Sequence, residues 1–459
     1  MACETVKKTR EVEDEFSVPC SKSPRLSFTG ASIDSRTILP GELFVALKGQ
    51  NTDGHKYVSD ALAKGAAAAL VNMDFESPDF RVEKRLIRTP NPLKTLQNMA
   101  HNHRVSFLKN TPVIAVTGST GKTTTKEMTA TVLSGSFNVL KTQGNLNNHI
   151  GLPLTLLGMT KKHTAAVIEM GMNAEGEIRK LAKIALPDIG VITNVGPAHL
   201  AAGLDSIDKV LKAKLELLDH LEGPLVVNAD NRLLADACKN LSSRSSKVIT
   251  YAIDNEADLR ATGLQAGGKT GITFSVEGVP FKLPVSGRFN ASNALAAVAA
   301  GQLLGISLKI AAQRLADYHG VPMRFETLEI EKYMVIDDSY NANPMSVKAA
   351  LAELTETGKG KRRKIAVLGD MLELGTASAD HHKEAGRLAS EYGIDLLVAV
   401  GPLMRKAAEV FGGNCVLFND SKSAAENIFE IIKPGDCILV KGSRGMAMEI
   451  IVRRIRDAV

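Results

Sequence analysis

The sequence predicts an α/β protein of three domains, with a central, mostly parallel sheet of the P-loop type and a C-terminal doubly wound, Rossmann-like sheet. Three observations carry that reading. Strand-length apolar runs at 113–117, 165–169, 189–194 and 225–228 alternate with helical stretches, the rhythm of parallel strands covered by helices. The rhythm returns at 334–337, 365–368, 396–400, 415–418 and 437–440, this time without a GxGxxG turn. The chain has 459 residues, room for about three domains of 100–200 residues each.

Taken in order, residues 1–25 form a charged extension that mixes acids and bases without an apolar run, which excludes a signal peptide. Residues 26–88 read as an N-terminal domain of short strands and Gly/Asp turns, with one helix over 57–64 closed by Gly65. Thr89-Pro90-Asn91-Pro92 punctuates the chain and opens a central domain over 89–321. A C-terminal domain over 322–459 follows, ending in a helix from about Met446. The charge-free stretch 289–308 is long enough to cross a bilayer, but Asn290, Ser292, Asn293, Gln302 and its alanines fit a packed soluble helix better.

Composition narrows the class. Hydrophobic residues make up 44% and the net charge is +6, so bulk disorder is excluded. The short basic run Lys361-Arg362-Arg363-Lys364 is no nucleic-acid footprint. Five scattered cysteines without CxxC spacing exclude a zinc knuckle and argue against a disulfide framework. A cytoplasmic monomer is expected, with no nucleic-acid partner and no membrane insertion.

The strongest chemical signal is Val113-Ile-Ala-Val-Thr-Gly118-Ser119-Thr120-Gly121-Lys122-Thr123-Thr124. An apolar strand runs into a glycine turn, and Lys-Thr then opens a helix that Gly135 closes. Such a turn lets backbone N–H groups converge on phosphate oxygens, and the helix N-terminus adds partial positive charge. Lys122 would reach the β- and γ-phosphates, and the Thr123 hydroxyl would face Mg²⁺. The match to GxxxxGK[ST] is incomplete, since Val116 occupies the first glycine position.

Two other strand ends carry candidate metal ligands. Glu169 ends the run at 165–169, and His199 follows the run at 189–194. Mg²⁺ prefers oxygen, so Glu169 suits it better, and His199 alone reads equally as a hydrogen-bonded loop histidine. A helix over 207–221 places Ile207, Val210, Leu211, Leu215, Leu218 and Leu221 on one stripe, with Lys209, Lys212, Glu216 and Asp219 opposite. Lys214 falls inside the apolar stripe. It is either a lysine that snorkels from the stripe's edge or a buried amine with a lowered pKa. The third domain adds four polar loops at strand ends, around Arg324, Asp338 to Pro344, Gly369 to Gly375 and Lys441 to Gly445, which together describe a binding face.

These segments resemble the Mur ligases, the ATP-dependent enzymes that add amino acids to peptidoglycan precursors, over nearly the whole chain from about Leu26. The short phosphate loop matches the family's. Asp34-Ser35-Arg36 with Gly41 to Gly49 is similar to its UDP-binding segment. Gly144-Asn145-Leu-Asn147-Asn148, Asp338 to Pro344 and Gly369 to Gly375 look like the branch that joins D-Ala-D-Ala to UDP-MurNAc-tripeptide. The resemblance implies an acyl-phosphate mechanism with ATP and Mg²⁺. It makes Gly118 to Thr124, Asn293, Arg324, Asp338 and Tyr340 nucleotide-binding. Ser35, Arg36, Lys48, Asn145, Asn147 and Asn148 become substrate-binding. It further implies Mg²⁺ on Thr123, Glu169, His199 and Lys214, the last carbamylated. Lys122, Glu169, His199 and Lys214 then form the catalytic set. A folate-type ligase or another branch of the family would keep the phosphate loop with a different acceptor, and a motor-type ATPase would need no acceptor at all.

Overall fold

The computed structural model describes residues 28–49, 51–77, 79–197, 204–239, 247–266, 271–360 and 363–457. Within them the chain builds three sheets. The charged extension 1–25 and His199 lie outside the described residues.

The first sheet is parallel, in the order β1 (Ala31–Ser32), β2 (Leu43–Val45), β3 (Ala68–Asn72), β4 (Leu86–Thr89). Leu43, Phe44 and Val45 are fully buried, as a parallel strand covered on both faces requires. The helix expected over 57–64 is a single 3₁₀ turn, Gly54–Tyr57, running into the α-helix Val58–Ala63.

The second sheet holds β5 (Val113–Thr117), β6 (Val139–Lys141), β7 (Ala165–Glu169), β8 (Ile189–Ile192), β9 (Leu225–Asn228), β10 (Val248–Ala252), β11 (Leu259–Ala266), β12 (Ile272–Val276) and β13 (Val279–Leu283). Their order is 13-12-11-10-9-8-5-7-6, antiparallel only at β11–β12–β13. One face packs on the helices Lys122–Leu133, Arg288–Leu303 and Leu308–Leu315. The other packs on Pro92–Ser106, Gly151–Leu157, Glu177–Ala185 and Ile207–Leu215. The stretch 289–308 supplies most of Arg288–Leu303, whose alanines from Ala294 to Ala300 are buried against the sheet and the helix Lys122–Leu133. No helix among the described residues is long and apolar enough to cross a membrane.

The third sheet runs 14-15-19-16-17-18, with β14 (Glu326–Ile330), β15 (Tyr333–Asp338), β16 (Lys364–Gly369), β17 (Leu396–Val400), β18 (Asn414–Phe418) and β19 (Cys437–Lys441). Only β14–β15 is antiparallel. Pro344–Thr357 and Ser378–Glu391 cover one face and Ser421–Ile431 and Glu449–Asp457 the other, which makes it doubly wound.

The segment 207–221 departs from its expected single helix. The α-helix ends at Leu215 and tightens into a 3₁₀ turn over Glu216–His220. Glu216, expected on the polar face, is buried, while Ile207 is 37% exposed. The segment packs on the sheet and also on Glu177–Ala185, so a one-stripe reading misses the second buried flank. A carboxylate belongs there because the neighbouring helix has N–H groups to satisfy. Glu216 Oε1 accepts from Gly176 N at 2.7 Å, and Oε2 accepts from Arg179 N at 3.2 Å. Glu216→Ala should therefore lower the unfolding free energy by about 1–3 kcal/mol, with Glu216→Gln losing less, in urea denaturation. An unchanged midpoint in the alanine variant would remove the capping role.

Candidate active site

The carboxyl ends of β5, β7 and β8 lie side by side in the second sheet, and the phosphate loop springs from β5 between them. The loop is built around two glycines. Gly118 has φ +152° and Gly121 φ +78°; a Cβ at Gly118 would stand 1.9 Å from Thr193 Oγ1, and one at Gly121 2.5 Å from Asn293 Oδ1. Only glycine takes these conformations at this spacing.

Residues just past β8 pin the loop. Ser119 N donates to the Asn194 carbonyl at 3.0 Å, and Thr120 N donates to Asn194 Oδ1 at 2.8 Å. Asn194 Nδ2 donates back to Thr120 Oγ1 at 2.7 Å, and Thr193 Oγ1 donates to the Thr120 carbonyl at 2.6 Å. Sequence reasoning missed Thr193 and Asn194 as loop supports. The available signal was two polar side chains placed directly after a buried apolar strand.

Lys122 begins the helix Lys122–Leu133, and its Nζ donates to the Gly118 carbonyl at 2.9 Å. Burial pulls its pKa below the usual lysine range, and the Glu169 carboxylate opposes that shift. Thr124 reaches a cavity of about 350 Å³ that is also lined by Asn290, Tyr318, His319 and Arg324. Asn293 is buried, with Oδ1 accepting from Thr125 Oγ1 at 3.3 Å and Nδ2 donating to Asn290 Oδ1 at 3.2 Å. One turn earlier, Asn290 is the residue that lines the cavity.

Glu169 ends β7 and is 2% exposed. Its Oε1 accepts from Asn147 Nδ2 at 2.8 Å, while Oε2 has no hydrogen-bond partner. A buried carboxylate oxygen left without a donor is a fitting place for a hard divalent cation, so the residues present fit Mg²⁺. No group of three His, Cys, Asp or Glu side chains converges as a metal site among the described residues. Lys214 is also 2% exposed. It does not snorkel: burial, then the positive charge of Lys122, drives its pKa well below the ordinary lysine value.

The third domain reaches the loop across a strained junction. Met323 (φ +62°) and Phe325 (φ +57°) are both left-handed, a conformation costing about 1–2 kcal/mol per non-glycine residue. Between them Arg324 lays its guanidinium 3.8 Å from the centre of the Tyr340 ring and donates to Thr123 Oγ1 at 3.4 Å. Asn343 Nδ2 donates to the Ser119 carbonyl at 3.4 Å. Asp338 Oδ2 accepts from Lys441 Nζ at 2.5 Å.

The expected substrate residues divide. Ser35 and Arg36 follow β1 and Lys48 follows β2, so they sit at the carboxyl edge of the first sheet. Ser35 is buried, its carbonyl accepting from Lys64 Nζ at 3.0 Å. Arg36 is exposed and grips Asp34 with two nitrogens, holding that carboxyl down to about 2. Lys48 is exposed. Asn145 is exposed and Asn147 holds Glu169, whereas Asn148 Oδ1 accepts from Ile150 N and Gly151 N at the start of Gly151–Leu157.

The Mur ligase family catalytic domain matches residues 27–104, the Mur ligase middle domain 116–301, and the Mur ligase glutamate ligase domain 323–444. The UDP-N-acetylmuramoyl-tripeptide–D-alanyl-D-alanine ligase of Bacillus subtilis is 38% identical over 94% of this chain and 93% of its own. The Escherichia coli enzyme of the same name is 35% identical over 94% of each. A crystal structure of MurF from Acinetobacter baumannii is 30% identical with a TM-score of 0.86 over 98% of both chains. MurF from Thermotoga maritima in complex with ADP is 27% identical with a TM-score of 0.80, over 95% of this chain and 99% of that one.

Proposed function

The chain belongs to the Mur ligase family, and from that membership we propose that it joins D-alanyl-D-alanine to UDP-MurNAc-tripeptide at the expense of ATP. The products are UDP-MurNAc-pentapeptide, ADP and phosphate. The observation that carries the reading is the meeting of Arg324 with Thr123 over a pinned phosphate loop, with the buried Glu169 carboxylate at the end of the neighbouring strand.

A carboxylate is a poor electrophile, so the γ-phosphoryl of ATP passes first to the terminal carboxylate of the tripeptide, giving an acyl phosphate and ADP. Positioning and charge neutralisation carry such a transfer. The backbone N–H groups of the loop and the start of Lys122–Leu133 receive phosphate oxygens. Lys122 releases the Gly118 carbonyl to reach the β- and γ-phosphates, and Arg324 adds a second cation from the other domain. The cavity beside Thr124 takes the adenosine end, with Asp338 and Tyr340 near the ribose. Glu169, Thr123 and His199 would hold Mg²⁺, which when bound neutralises phosphate charge. Asn147 keeps Glu169 oriented toward that task, and Lys214 supports it as a carbamate.

The neutral dipeptide amine then attacks the acyl carbon, and the tetrahedral intermediate loses a proton from nitrogen and expels phosphate, leaving the new amide. Contacts from the third domain onto the loop exclude water at this stage. Three domains divide the work: 26–88 takes the UDP end through Ser35, Arg36 and Lys48, 89–321 takes ATP, and 322–459 takes the dipeptide. Asn145 and Asn148 border the tripeptide.

Phosphate release is the test. It should require UDP-MurNAc-tripeptide, ATP and D-Ala-D-Ala together, and mass spectrometry should find the pentapeptide product. Incorporation of a single amino acid with no use of D-Ala-D-Ala would move the chain to another branch. Phosphate release without any acceptor would make it an ATPase.

A further inference from the structure

Lys441 is a buried lysine that the reaction as described does not use. It ends β19 and is 2% exposed. β15 and β19 are parallel neighbours whose register pairs Asp338 with Lys441, so the two side chains emerge together at the sheet edge. Nζ donates to Asp338 Oδ2 at 2.5 Å and to the Asn341 carbonyl at 2.9 Å. Two residues on, Ser443 Oγ accepts from Leu372 N at 2.8 Å and Ser443 N donates to the Asp370 carbonyl at 3.1 Å. The turn after β19 is thus bonded to both neighbouring loops.

The chemistry of the pair is asymmetric. Lys441 has both its contacts inside the protein and almost no access to solvent. Asp338 keeps Oδ1 without a partner among the described residues. Between the two groups that Lys441 holds, at Asp338 and Asn341, stands Tyr340, the ring on which Arg324 lies. Removing the cation would leave a carboxylate short of its counter-charge and free the loop that presents this ring.

We propose that Lys441 is a positioning residue for ATP, acting through Asp338 and the backbone of Asn341 to fix the loop that carries Tyr340 under Arg324. This rests on the nucleotide role given above to Asp338 and Tyr340.

The test is a double-mutant cycle of Lys441→Met, Asp338→Asn and both together, read by calorimetric titration of the full-length protein with ATP and Mg²⁺. ATP binding does not depend on which acceptor is used, so a wrong acceptor leaves the result intact. No ATP binding by the parent chain would instead sink the functional reading itself. Lys441→Met should weaken ATP binding by about 10–100-fold, the worth of a charge-assisted hydrogen bond. The KM for UDP-MurNAc-tripeptide should stay within about twofold, since its site lies on another domain. The double variant should bind ATP no more weakly than the weaker single variant, because both changes remove one unit. It also guards against misfolding, since removing both members of a buried pair is far milder than removing one. A Lys441→Met protein that melts earlier but binds ATP normally, or losses that add across the cycle, would overturn the proposal.

Discussion

Lys122→Ala is expected to lose turnover by a factor on the order of 10²–10³ or more, the usual cost of removing one preorganised charge stabiliser from a transition state. The unfolding free energy should move by less than about 1 kcal/mol. The asymmetry follows from what the side chain touches. Nζ has one hydrogen bond, to the Gly118 carbonyl, and the helix it begins is held by Thr125, Asn293 and a buried apolar face that do not involve the amine. Lys122→Arg should recover little, because a planar fork cannot replace a compact ammonium between a loop carbonyl and phosphate oxygens. Phosphate release under saturating ATP, alongside thermal melting, separates the two effects. Turnover within tenfold of the parent at equal stability would withdraw the loop from the reaction.

Lys214→Ala should have the second-largest effect, on the order of 10²-fold in kcat. The lysine is enclosed, and the charge of Lys122 discourages a second cation nearby. On the proposed mechanism, a neutral amine in that setting would add CO₂ and release one proton, giving a carbamate that would turn a like-charge repulsion into an attraction. The alanine variant should regain part of its activity with added acetate or formate, which enter the vacated space as anions. Lys214→Arg should not respond, because a guanidinium stays protonated and does not form the carbamate. Full activity without rescue in the alanine variant would leave Lys214 as a packing residue.

How much of this was legible in the sequence follows physical lines. Val113–Thr117, Ala165–Glu169, Leu225–Asn228 and Leu396–Val400 stand at the expected positions because central parallel strands bury both faces and so read as unbroken apolar runs. β12 and β13 were missed because they alternate buried and more exposed residues, as antiparallel strands with one wet face do. β6 has three half-buried residues and too little signal to find. The phosphate loop was plain from its glycines and Lys-Thr pair. Its supports at Thr193 and Asn194 were not, since a hydrogen bond between segments 74 residues apart leaves no local pattern. The stripe on 207–221 put Lys214 among the apolar positions but left snorkelling and burial both open, and it put Glu216 wrongly on the wet face. Nothing in Met323-Arg324-Phe325 announces two left-handed residues, because that strain is imposed by the junction they span.

The packing of Arg288–Leu303 against Lys122–Leu133 has a consequence for biosynthesis. The helix that begins with Lys122 leaves the ribosome roughly 170 residues ahead of the one that covers its apolar face. At about 5–20 residues per second that interval is roughly 10–35 s. Throughout it, Val132, Leu133 and Met128 lack the alanine-rich surface that buries them in the finished protein. The nascent chain therefore carries its phosphate loop on a half-covered helix for roughly a third of its own synthesis. That window, rather than the mature fold, is where chaperone dependence and premature termination should act on this protein.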